Sequence, residues 1–419
     1  MTEAETQRAI EAVFRIEQAR LIAGLTRIVR DVGLAEELAQ DALVVALRHW
    51  PESGVPKSPG AWLMQTAKRR AIDYFRHNKM AARKLEALGY DLREIESRPP
   101  DLDSALDDDV GDDLLKLIFT SCHPVISPEA RVALTLRLLG GLTTDEIARA
   151  FLAAEATIAQ RIVRAKKSLA EAGLPFEVPR AEERAARLAS VLEVIYLIFN
   201  EGYSATAGDD WTRPQLCEEA MRLGRILARL TPDEPEVHGL VALMELQASR
   251  LNARTGPDGE PVLLLEQNRG LWDQLLIGRG LAALERAGQL GGAGPYVLQA
   301  AIAACHARAR RPEETDWQRI AGLYDALAAA TPNPVVELNR AVAHAMAFGP
   351  QQGLDILEKL SGEPALKGYH LLPSVRGDLL AKLGRSAEAR REFERAAELT
   401  RNQRERALLL DRAAATTAS

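Results

Sequence analysis

Thr143 and Glu146 form the sharpest local signal in this chain. A Thr followed three residues later by Glu is a capping box, in which each side chain takes up the other's orphan backbone N–H, and Leu142 and Ile147 flank it as a hydrophobic staple. A helix has to begin there, and the pattern predicts it over 144–151. After LAAE a second helix is expected over 155–170. On a helical wheel Ile158, Ile162, Ala165 and Leu169 share one face, and Thr157, Gln160, Arg161 and Arg164 the opposite one. An apolar back with a polar and basic front suits a helix laid in a DNA major groove. The bland alternative is an amphipathic surface helix. The turn between the two helices lacks the usual glycine, with Leu152 near that place.

At 419 residues the chain exceeds one compact domain, and at least three units are expected. Ala, Leu and Arg are prominent while β-branched runs are few, which predicts an all-α chain. The N-terminus, MTEAETQRAIEAVF, is charged and has no basic stretch leading into an apolar core, and no run of about 18 uncharged apolar residues occurs. The expectation is a cytoplasmic chain with no membrane anchor. Cys122, Cys217 and Cys305 lie far apart without a CxxC pair, so neither a disulfide framework nor a metal site is expected. Cys122-His123 and Cys305-His306 read as core or boundary residues, because adjacent side chains on a helix point apart.

The net charge of −6 argues against a chain coated with nucleic acid, but it averages over very different segments. Between Thr66 and Lys84 the bases Lys68, Arg69, Arg70, Arg76, Lys79, Arg83 and Lys84 face one acid, Asp73. Between Asp101 and Asp113 stand seven aspartates and no base. A second basic cluster, Arg161, Arg164, Lys166 and Lys167, follows.

Helical patterning runs from about Glu3 to Trp50 and resumes near Gly60 after the turn-rich PESGVPKSP. SRPPDLDSALDDDVG combines proline, acid and little apolar content, and reads as a solvated linker. The expected division is a first helical domain at 1–96, an acidic linker at 97–113, a helix-turn-helix domain at 114–173, a helical extension at 180–290 and repeats at 291–419. Gly377, Gly384, Ala389, Phe393 and Ala396 match the small and aromatic positions of a tetratricopeptide repeat. One repeat back stand Ala341, Gly353 and Leu357, and before them Ile320, Tyr324 and Leu327 with Pro332. Such helix pairs bury their apolar faces only by stacking.

Taken in order, these segments resemble an extracytoplasmic-function sigma factor of the subgroup with a tetratricopeptide-like extension. GLAEELAQDALVVALRHW looks like that family's polymerase-binding helix, and AWLMQTAKRRAIDYFRHNK like its helix for the minus-ten promoter element. SPEARVALTLRLLGGLTTDEIARAFLAAEATIAQRIVRAKKSL is similar to its minus-thirty-five reader, and LIFNEGYSA and EQNRGLWD resemble segments of the extended subgroup.

The resemblance implies that Glu36, Glu37, Gln40 and Asp41 face the RNA polymerase core enzyme. Lys68, Arg69, Arg70 and Arg76 would follow the promoter DNA backbone, where each neutralised phosphate adds salt-dependent affinity without specifying sequence. Arg69 stands where family members often carry asparagine. Reading of the opened strand would fall to the loop 52–58 and the adjoining helix start, while Trp62 is expected in the core, with stacking on a base as the alternative. Thr157, Gln160, Arg161 and Arg164 would face the major groove, arginine suiting guanine or phosphate and glutamine adenine. The acidic linker would mimic RNA in the polymerase channel. The extension would act on the sigma domains in cis or on an unknown protein partner.

No P-loop, GxSxG, HExxH or GxGxxG-plus-strand pattern occurs, so neither catalytic residues nor a cofactor are expected. Asn200, Glu201, Tyr203, Gln267, Arg269 and Asp273 concentrate polarity among apolar helices. They are expected to form a buried hydrogen-bond network, with a small-ligand or partner site as the alternative. Two other functions stay open from sequence: a scaffold or signal-binding repeat protein, and a helix-turn-helix regulator independent of polymerase.

Overall fold

The computed structural model describes residues 3–86, 110–151, 153–204, 212–256, 260–360, 362–400 and 402–416. It is all-α, as expected. Among the described residues the only β pairing is an isolated bridge between Thr255 and Pro261. The chain divides into two compact units, Met1–Val194 and Ile195–Ser419.

The N-terminal unit opens with α1 (Glu3–Val29), α2 (Val32–Ser53) and α3 (Pro59–Glu86). The long helical pattern breaks at Arg30, whose φ of 56° ends α1, and at Asp31, whose carboxylate caps α2 by accepting from Leu34 N–H at 2.8 Å. Then come α4 (Val110–Ser121), α5 (Pro128–Leu138), α6 (Thr144–Ala150) and α7 (Glu155–Glu171). The acidic linker was expected to reach residue 113, but its last four residues already form the first turn of α4, where Asp112 and Asp113 suit the positive end of the helix dipole. The rest of that acidic run, and the turn residue Leu152, lie outside the described residues.

α8 (Ala181–Tyr203) was expected to open the extension, yet its residues up to Val194 belong to the N-terminal unit. The physical reason is a set of bonds onto α4 and α5. Arg187 Nη2 donates to Phe119 O at 2.9 Å and Ser190 Oγ to Cys122 O at 2.7 Å. Arg131, 8% exposed, donates to Ser190 Oγ and to Glu193 at 3.1 Å.

In the C-terminal unit α9 (Pro214–Leu230) precedes α10 (Pro235–Ala248), and α11 (Gln274–Gln289) and α12 (Pro295–Arg308) follow. Proline opens α5, α9, α10 and α12 at a position where its missing N–H costs no helical hydrogen bond. α10 is buried on nearly every side, between α9, α11 and α12. Beyond it α13 (Trp317–Ala330), α14 (Pro334–Phe348), α15 (Pro350–Leu360), α16 (Leu371–Lys382), α17 (Ser386–Leu399) and α18 (Gln403–Ala415) each pack on their chain neighbours. Gly384 (φ 75°) turns the chain from α16 into α17, a conformation that costs glycine little. Within that pair a Cβ at Gly377 would stand 3.0 Å from the Phe393 ring, so a larger residue there would need the ring to give by a few tenths of an ångström.

Candidate nucleic-acid and polymerase interface

The two helices foreseen from the capping box are α6 and α7. Thr143 N–H donates to Glu146 Oε2 at 2.8 Å, and Glu146 N–H donates to Thr143 Oγ1 at 3.1 Å. Ile158, Ile162, Ala165 and Leu169 are the buried residues of α7. Thr157, Gln160 and Arg164 are exposed, and Arg161 is half-buried. Ala154 at the N-cap of α7 supplies no side-chain hydrogen bond to the helix end.

On α3, Arg69, Arg70 and Arg76 are exposed, and Lys68 is half-buried. Burial, then the charge of Arg27, pulls the Lys68 ammonium below its ordinary pKa. Arg69 and Arg70 border a groove of about 440 Å³ between α2 and α3, together with His49, Trp62, Thr66 and Asp73. Trp62 is therefore only partly core. Its ring packs edge-on at 5.2 Å against Trp50, itself 1% exposed, and its remaining surface borders the groove. Of the loop foreseen at 52–58, Glu52 and Ser53 end α2, and residues 54–58 are the connection.

The four residues of the acidic face on α2 part company. Glu37 and Asp41 are exposed and Gln40 is half-buried, but Glu36 is 4% exposed. Its carboxylate accepts from Arg137 Nε of α5 at 2.6 Å and is ion-paired with Lys166 of α7. Around this pair Gln18 Nε2 donates to Arg137 O at 3.2 Å, and Arg27 meets Asp113 at 3.1 Å. Burial raises the Asp113 carboxyl pKa, against the pull of Arg27 and Lys116. The helices carrying the polymerase-like and DNA-like faces thus pack on each other inside one unit. Nothing local in the sequence reveals this, because Gln18, Glu36, Arg137 and Lys166 stand about 20 to 150 residues apart along the chain.

The polar residues foreseen in the extension are distributed among structural bonds. Arg269 donates to the carbonyls of His306 (3.0 Å) and Ala309 (2.7 Å) and to Thr315 Oγ1 (3.0 Å). Gln267 Nε2 donates to Val262 O at 3.1 Å, and Asp273 caps α11 by accepting from Leu275 and Leu276 N–H. Glu201 is ion-paired with Arg213, Asn200 bonds Tyr196, and Tyr203 accepts from Arg250 beneath the Arg254 guanidinium, 3.8 Å from its ring centre. The cysteines are buried, and burial pushes all three thiols up, Cys217 to about 12. Among the described residues no helix is long and apolar enough to cross a membrane.

Three protein families match the chain: Sigma-70 region 2 over residues 13–80, Sigma-70, region 4 over 116–169, and a family of unknown function (DUF6596) over 187–288. An uncharacterized protein of Rhizobium meliloti (strain 1021) is 46% identical over 390 residues, 93% of this chain and 91% of that protein. An ECF RNA polymerase sigma factor SigK of Mycobacterium sp. (strain KMS) is 30% identical over 158 residues, 37% of this chain and 77% of that protein. Another, of Mycobacterium ulcerans (strain Agy99), is 27% identical over 168 residues, 40% of this chain and 87% of the relative.

Proposed function

Because this chain belongs to the extracytoplasmic-function RNA polymerase sigma factors, we propose that it directs the polymerase core to promoters through the exposed faces just described, and that its C-terminal extension modulates this step. The single observation that carries the residue-level proposal is the division of α7, with four apolar residues inward and Thr157, Gln160 and Arg164 outward. That division serves major-groove contact by α7, with Arg161 at its edge. The N-terminus of α7, which has no side-chain cap, suits a backbone phosphate.

Arg69, Arg70 and Arg76 are placed to follow the DNA backbone, with Lys68 behind them. Trp62 and the adjoining groove offer a ring and a polar recess to an unstacked base. Glu37, Gln40 and Asp41 are the polymerase-facing residues in this proposal, and Glu36 joins them only when Arg137 and Lys166 release it. The sigma role asks no bond-making chemistry of the chain itself.

The extension is proposed to act in cis, its later helix pairs serving as tetratricopeptide-like repeats. Covalent attachment holds it at an effective concentration on the order of millimolar, so even a weak contact would be occupied. The direct test of the core proposal is a binding assay of the full chain with polymerase core enzyme. Charge reversal at Glu37 and Asp41 should weaken the complex about ten-fold or more. Unchanged affinity of that variant would remove the assignment of α2.

A further inference from the structure

We propose that a partly open cavity in the C-terminal unit, lined mainly by α8, α10, α12, α13 and α14, is a binding site for a small organic carboxylate. The cavity holds about 240 Å³. Helical spacing builds it: Leu243, Gln247 and Arg250 lie one turn apart along α10 and just past its end, and Gln299, Ile302 and His306 one turn apart along α12. Tyr196, Tyr324 and Asn339 complete the polar lining. Leu246 and Leu264 add aliphatic wall.

The charge is one-sided. Arg250 donates to Tyr203 Oη and lies 5.7 Å from the ring centres of Tyr203 and Trp272, but no described carboxylate pairs with it. Arg269, close by, gives its Nη1 and Nη2 donors to two carbonyls and Thr315. His306 senses the field: burial, then Arg250 and Arg269, push its imidazole down to about 3, with no acid opposing them. The ring is neutral at physiological pH.

Some of the polar groups that face the space lack partners among the described residues. His306 Nδ1 is buried without a hydrogen bond. Tyr324 O–H and the Gln247 side-chain amide make none among the described residues, and burial pushes the Tyr324 phenol up to about 12, so it keeps its proton as a donor. Tyr196, by contrast, already donates to Gln299 at 3.4 Å. Buried polar groups are ordinarily paired, and leaving them unpaired costs their desolvation.

One unneutralised guanidinium beside a phenol and an amide matches a single planar negative charge. The aliphatic walls and the volume, below the usual range for drug-sized ligands, fit a compact apolar body on that charge. A phosphate dianion would call for more cations than the one that is offered.

The test uses the full-length chain with benzoate, hexanoate, neutral benzamide and inorganic phosphate as probes, followed by titration calorimetry and by intrinsic tryptophan fluorescence, to which Trp272 beside Arg250 and Trp317 beside His306 contribute. The expected result is that at least one carboxylate binds, about ten-fold or more tighter than benzamide and than phosphate. Arg250→Gln should weaken it by about ten-fold or more, and Tyr324→Phe, which keeps the ring and its packing, by about three- to ten-fold. No carboxylate binding at millimolar concentration overturns the proposal, as does phosphate binding more tightly. Unchanged affinity in Tyr324→Phe overturns it too, and that variant decides alone if Arg250→Gln does not fold.

Discussion

The Glu36 carboxylate of α2 accepts a hydrogen bond from Arg137 Nε of α5 at 2.6 Å, so a residue of the polymerase-like face is held by the helix-turn-helix segment of the same unit. Lys166, on α7, closes the other side of that carboxylate. In the proposed role Glu36 is covered until these contacts part, and the apparent affinity for polymerase would fall by the fraction of chains that are open. Arg137→Gln combined with Lys166→Gln should strengthen binding to polymerase core by about three- to ten-fold while lowering thermal stability. An affinity equal to or below that of the parent would show that the contact does not oppose polymerase binding.

Removing the carboxylate instead strands two cations. Glu36 is 5% exposed in its side chain, whereas Arg137 and Lys166 keep 21% and 23% of theirs, so water softens the loss relative to a fully buried pair. Glu36→Gln should destabilise the N-terminal unit by about 1–3 kcal/mol in denaturant unfolding. A change within about 0.5 kcal/mol would mean the bridge adds nothing beyond a surface pair.

For DNA, Arg161→Ala and Arg164→Ala separate two kinds of contact. Loss of a base-contacting arginine should cost about 1–3 kcal/mol and relax specificity at one position. Loss of a phosphate-contacting one should weaken all sequences alike and reduce the salt slope by about 1, as should Arg69→Ala or Arg76→Ala. The assay is promoter binding by the polymerase complex across a salt series. Parental binding by both α7 variants would refute the assignment of that helix.

His306 and His123 set a pH dependence. Burial, aided by neighbouring arginines, pushes them down from 6.5 to about 3 and about 4. Between those values and 6.5 the unfolded chain binds more protons than the folded one, so stability rises with pH and is fully present above about 6.5. His306→Gln should flatten this rise by up to about 1.4 kcal/mol per pH unit between about pH 4 and 6. Melting followed across that range checks it, and an unaltered slope would contradict it.

The local signals proved the most legible part of the sequence. Thr143 with Glu146 located α6, and the apolar spacing of Ile158, Ile162, Ala165 and Leu169 gave the inner face of α7, because capping and amphipathicity are written within a few residues. The fate of Glu36 was hidden. An acid among Glu37, Gln40 and Asp41 looks like one more exposed charge until α5 and α7 are placed beside it. The bonds that tie α8 to the N-terminal unit were hidden for the same reason, since nothing local to Arg187 and Ser190 reveals that their partners are carbonyls of α4 and the turn after it. A chain cut after Gly173 would lose those bonds and strand Arg131. It should melt well below one cut beyond Tyr203, and activity comparisons that test the extension need the longer fragment.

The central claim, that this chain takes polymerase to promoters, is tested most directly by transcription in a purified system of core enzyme, full-length chain and DNA from upstream of its own gene and other candidate promoters. The account predicts transcripts with discrete start sites that require the chain and decline when Arg161 and Arg164 are both replaced by alanine. Core enzyme that gives the same transcripts with and without the chain, on every template tried, would contradict it.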